Sequence, residues 1–186
     1  MRTLIRSLAA GLAGASLVGC GSGGASNPPV DIVLAVSLAG EAPRLLGGGL
    51  RGEGLEPIDG GVAGASRYEW SPDRSRVAFV SEDAAGDDRM YVVALADGVA
   101  VPVTPPPTPG NYLGYPLWSP DGTKVAVVGS LVDDALDTDE LWVWDGAGLA
   151  VQVSGAEHVM TTARPFWSPD STQLAYGGQV AGTQPN

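Results

Sequence analysis

One cysteine, Cys20, and one histidine, His158, are the side chains of this 186-residue sequence best suited to nucleophilic or acid–base chemistry. A single Cys excludes a disulfide within one chain, and one Cys with one His cannot make a zinc cluster. No Gly-x-Ser-x-Gly elbow occurs, so an exposed catalytic serine of that kind is excluded as well. Carboxylates remain. Six acids crowd the stretch from Asp133 to Asp145, and hard cations such as calcium prefer carboxylate oxygens. The Asp-x-Asp-x-Asp-Gly order of an EF-hand loop is missing there, and Asp83, Asp87 and Asp88 occupy the matching loop one repeat earlier. These acids are therefore expected to be solvated loop residues. No metal, cofactor or catalysis is expected.

The elements that position these residues follow from a repeat. Trp-Ser-Pro-Asp occurs at Trp70-Ser71-Pro72-Asp73, Trp118-Ser119-Pro120-Asp121 and Trp167-Ser168-Pro169-Asp170, spaced 48 and 49 residues apart. Ser-Pro-Asp-Gly at 119–122 suits a type I turn, with Pro fixing φ at its second position. Apolar runs follow each turn: Val77-Ala78-Phe79-Val80, Val125-Ala126-Val127-Val128 and Leu174-Ala175-Tyr176. The recurring small residue (Ala78, Ala126, Ala175) with apolar flanks predicts strands covered on both faces. Arg89–Val93 and 140–144 predict third strands, and 99–104 and 149–154 fourth strands. Four short antiparallel strands in each repeat of this length make one β-propeller blade. The three motif tryptophans fall at equivalent positions and are expected to be packing anchors.

The pattern Pro-x-Trp-Ser-Pro-Asp-Gly-x-x-Val-Ala followed by Asp-Glu-Leu-Trp-Val-Trp-Asp resembles the PD40, or WD40-like, repeat of TolB-type propellers. The same repeat occurs in propellers of prolyl-oligopeptidase-like peptidases. The resemblance covers 66–177 well and 31–46 more loosely, where two strands look like the last pair of a preceding blade. Arg74 and Ser171 replace the turn glycine kept at Gly122, and Tyr68 replaces the proline found at Pro116 and Pro165. The fold expected is all-β, a partial propeller of four-stranded blades, with repeats near 31–46, 66–104, 114–154 and 163–177. Connections between blades lie at one rim of such a fold. Asn111 and Tyr112, and one repeat later Glu157 and His158, are therefore candidates for lining a binding mouth.

At the N-terminus, Arg2 and Arg6 precede a short apolar stretch from Leu8 to Val18, too short to span a bilayer as a helix, so it reads as an export signal. Leu17-Val18-Gly19-Cys20 resembles the lipobox of bacterial lipoproteins, which implies cleavage before Cys20 and acylation of its thiol. The expected order is a signal at 1–19, a lipidated Cys20 with a flexible Gly/Ser/Pro tether to 29, and the propeller at 30–186. Gly21 after the cysteine resembles the pattern that directs enterobacterial lipoproteins to the outer membrane.

The formal charge of −11 argues against phosphate-based nucleic-acid binding, which needs clustered Lys and Arg. The strands expected are two before the first motif, four in each of two full repeats and two after the last. Closed propellers usually have four blades or more. A reading frame cut short is therefore expected. The function expected is a non-enzymatic lipoprotein of the cell envelope, held in the membrane by its lipid and binding a protein or peptide. The alternative is the propeller part of a larger peptidase-like enzyme.

Overall fold

Alternating apolar residues after each Pro-Asp turn build the centre of every blade, because their side chains point to opposite faces of the strand. The computed structural model describes residues 31–37, 40–49, 51, 54–131, 139–155, 157–159 and 164–180. All its regular elements are β-strands. Cys20 and Asp133, Asp134 and Asp137 lie outside the described residues.

The first sheet is β1 (Ile32–Val36), β2 (Arg44–Gly48) and β3 (Glu56–Pro57), in that order. The first full blade is β4 (Ala65–Trp70), β5 (Arg76–Glu82), β6 (Asp88–Ala94) and β7 (Ala100–Pro102), paired antiparallel in sequence order. In the second blade the inner strand is split into β8 (Tyr112–Leu113) and β9 (Leu117–Trp118), both paired with β10 (Val125–Ser130). That blade continues with β11 (Glu140–Trp144) and β12 (Val151–Gln152). The third unit pairs β13 (Glu157–Val159) with β16 (Gly178–Val180), and β14 (Phe166–Trp167) with β15 (Leu174–Ala175). The outer strands β7 and β12 are shorter than the sequence suggests. Pro102 ends β7, since proline has no N–H to give a ladder.

The N-terminal pair expected at 31–46 is instead three strands, and their repeat positions are fixed by a recurring bond. Met90 N–H donates to Thr104 Oγ1 and Leu141 N–H to Ser154 Oγ, both at 3.0 Å, while Leu45 N–H donates to Asp59 Oδ2 at 3.1 Å. Leu45 is thus the counterpart of Met90 and Leu141, and all three are fully buried. β1, β2 and β3 are the second, third and fourth strands of a blade. Glu56-Pro57 has no apolar alternation, which hid β3 in the sequence.

Each central strand is covered on both faces, as its pattern predicts. Val77 and Phe79 pack with Val33 and Leu45 of the first sheet. Ala78 and Val80 face the second blade with Val125, Val127 and Trp118. Ala126 and Val128 face the third unit with Trp167, Leu174 and Tyr176.

The Ser and Asp of the motif are both spent on the turn. Ser71 Oγ donates to Asp73 Oδ1 at 2.6 Å and accepts the Arg76 N–H at 3.0 Å. Ser119 with Asp121, and Ser168 with Asp170, repeat the first bond at 2.6 Å. The serine hydroxyl followed by the N–H and hydroxyl of Ser75 pushes the Asp73 carboxyl down to about 2. The equivalent bonds lower Asp121 and Asp170 too. The residue after each Asp takes positive φ: 59° at Arg74, 70° at Gly122 and 60° at Ser171. Only glycine adopts that region without steric cost, so the two departures from the pattern are strained.

Candidate functional site

The inner strand of each blade carries an extra residue near its start. Ala65 pairs with Ser81 and Arg67 with Val80, so β4 bulges at Ser66. Leu113 pairs with Gly129 and Leu117 with Ala126, which places the same excess in 114–116 of the second blade. There the strand breaks altogether, and Pro116 within the break has no N–H to rejoin the ladder. β8 nevertheless lies close against β10, because a β-carbon at Gly129 would collide with the Tyr112 carbonyl.

Beside the break lies a cavity of about 420 Å³, bounded by Tyr112, Tyr115, Leu117, Val128, Arg164 and Pro165. Its walls are mostly apolar and are drawn from the second blade and the start of the third unit. Tyr115 and Arg164 hold the repeat position that Arg67 fills in the first blade. Arg67 is tied down there: its Nη2 reaches the Asp88 carboxylate at 2.6 Å, and its guanidinium lies 5.2 Å from the Tyr112 ring centre. By contrast Tyr115 and Arg164 are both exposed, and Arg164 makes only a loose ion pair with Glu69 at 3.5 Å. Burial, partly offset by Arg164, raises the Glu69 carboxyl above its ordinary range.

The four rim residues named from sequence fare differently. Tyr112 is half exposed and lines the cavity. Asn111 does not face a mouth. It is buried, its Oδ1 accepting the Asp88 N–H at 2.7 Å and its amide donating to the Asp88 carbonyl. The side chain thereby replaces a missing strand pair between the blades. Glu157 and His158 lie on β13 and pair with Val180 and Gln179 through the backbone. Asp87 and Asp88, expected to be solvated, are buried and lock the same connection. Gly110 N–H donates to Asp87 at 2.7 Å and Leu113 N–H to Asp88 at 2.8 Å. Burial raises the Asp88 carboxyl, against the Leu113 bond and Arg67. Asp83, exposed, accepts the Ala85 and Asp87 N–H groups within its own loop.

Tyr115 and Arg164 were missed in the sequence. Their signal was a repeat position where a tied arginine in one blade becomes an exposed tyrosine in the next. Chemically the site offers an apolar recess, two phenols and a cation. That suits an amphipathic segment more than bond-breaking chemistry. Among the described residues, no group of three or more His, Cys, Asp or Glu could hold a metal ion.

No family model matches the chain. In structure it is similar to the putative TolB from Agrobacterium tumefaciens, with a TM-score of 0.57 and 15% identity over 81% of this chain and 51% of that one. It is also similar to TolB from Acinetobacter baumannii, with a TM-score of 0.51 and 18% identity over 76% of this chain and 33% of that one. In sequence it is 30% identical over 92 residues to the uncharacterized peptidase YuxL of Bacillus subtilis (strain 168). That match covers 47% of this chain and 14% of the peptidase, so the chain spans a small part of that relative. Identities this low between solved structures speak for the fold. The fold is that of a partial, TolB-like β-propeller.

Proposed function

We propose that this chain is a non-catalytic binding module of the bacterial cell envelope, tethered through an acylated Cys20, that holds an extended segment of a protein partner. The observation that carries the reading is the cavity beside the split inner strand. It has an apolar floor of Leu117 and Val128, exposed Tyr112 and Tyr115 at its edge, and a weakly engaged Arg164. Tyrosine combines large apolar area with a polar tip at low entropic cost, and arginine reads carboxylates, so both suit peptide recognition. A segment with one apolar side chain and a nearby acidic group fits this chemistry. The lipid tether rests on the Leu-Val-Gly-Cys sequence, and acyl chains partition into bilayers.

The 30% identity to a peptidase over 92 residues favours a second reading, in which the propeller serves a peptidase-like enzyme. Two experiments separate them. Peptides selected from a random display library on the full chain should bind about tenfold or more weakly to the Tyr115→Ala, Arg164→Ala double variant, a loss of about 1.4 kcal/mol or more. Cys20→Ala should move the protein from the membrane to the soluble envelope fraction. Labelling of the chain by a serine-hydrolase probe, or selected peptides indifferent to the double variant, would contradict the proposal.

A further inference from the structure

Blade joints are made from the same parts each time. Trp118 Nε1–H donates to the Glu69 carbonyl, and Trp167 Nε1–H to the Leu117 carbonyl, both at 3.1 Å. Glu69 and Leu117 hold the same repeat position, the residue before Trp70 and Trp118 on the inner strand. Each motif tryptophan therefore reads the inner strand of the blade in front of it. A cation completes the joint: Arg76 stacks 4.9 Å from the Trp118 ring centre, and Lys124 5.9 Å from that of Trp167.

At the first joint this strand is not among the described elements. The first sheet runs β1-β2-β3, and β1 is a second strand whose other edge pairs with no described strand. Trp70 stands where Trp118 and Trp167 stand, yet among the described residues its Nε1–H meets no acceptor. Ala35 is exposed although its repeat counterpart Val80 is fully buried, and Leu34 is 40% exposed. An open backbone edge, a lone indole donor and an uncovered apolar patch thus share one place.

We propose that the free edge of β1 with Trp70 is a strand-acceptor site for an extended polypeptide segment patterned like this repeat's own inner strand. The segment would pair with β1 through its backbone and present a carbonyl to the Trp70 indole. Backbone pairing gives such a site its affinity, and the side chains over Ala35 and Leu34 give selectivity. Proline in the paired stretch would remove a ladder donor and be rejected. This site is separate from the cavity beside Tyr115, and neither proposal depends on the other.

The probe is a synthetic peptide copying residues 65–71, the unbroken inner strand β4, added to the full chain in detergent. Amide exchange of residues 32–36 should slow on addition, and a scrambled peptide should leave it unchanged. Trp70→Phe keeps the ring and removes the N–H, so it should weaken binding about fivefold. Trp118→Phe, whose indole already has its acceptor, should bind the peptide as the parent does. Absence of protection in β1, equal protection by the scrambled peptide, or unchanged binding by Trp70→Phe would each overturn the proposal.

Discussion

The indole of Trp118 crosses a blade joint to donate to the backbone carbonyl of Glu69, 3.1 Å away. The ring is buried among Val80, Val125 and Val127 and is capped by the Arg76 guanidinium, which also donates to the Gly122 carbonyl in the next motif turn. One side chain thus joins hydrophobic packing, a hydrogen bond and a cation–π contact. Trp167 repeats the arrangement with Leu117, Lys124 and the Ser171 carbonyl.

Trp118→Ala should therefore cost about 3–5 kcal/mol, the usual range for emptying a buried aromatic site. Trp118→Phe, which loses mainly the hydrogen bond, should cost about 1 kcal/mol beyond its smaller area. Chemical denaturation of the three proteins measures both. Equal stability of Trp118→Ala and the parent would remove the joint from the account.

Arg74→Gly should stabilise the protein. A non-glycine residue at φ 59° costs about 1–2 kcal/mol, and glycine's greater freedom in the unfolded chain returns about 0.5–1 kcal/mol of that. The expected net gain is about 0.5–1 kcal/mol by thermal or denaturant unfolding. Ser171→Gly should gain less, because the Ser171 Oγ accepts the Asp121 N–H at 3.0 Å.

Glu69→Gln should raise the melting temperature at neutral pH. Burial raises the Glu69 carboxyl in the folded chain, with Arg164 only partly opposing it. A carboxyl whose folded pKa exceeds its unfolded value of 4.5 binds its proton more tightly when folded. Its favourable contribution is present below that value and is lost as pH rises through the folded pKa. The advantage of the glutamine should accordingly vanish below pH 4.5, where the parent's carboxyl is already neutral. Melts of both proteins across the acid range test the crossover.

Much of the fold was legible because turn, strand and spacing recur together. Val77–Val80 and Val125–Val128 lie in β5 and β10, where their alternation placed them. β3 escaped because Glu56-Pro57 has no apolar period, and its place is fixed instead by the bond from Leu45 to Asp59. The cavity was half legible. Tyr112 was named as a rim residue, but Asn111 beside it turned inward to pair with Asp88, since a buried amide must satisfy its donors and acceptor. Tyr115 and Arg164 are 49 residues apart, and only the stacking of consecutive inner strands brings them to one recess.

The most direct test of the cavity as the binding site is amide hydrogen exchange on the full chain with and without a peptide selected by display. The account predicts slowed exchange concentrated at residues 112–117 and 126–128, abolished by Tyr115→Ala with Arg164→Ala. Protection elsewhere on the blades, or protection that survives the double variant, would contradict it.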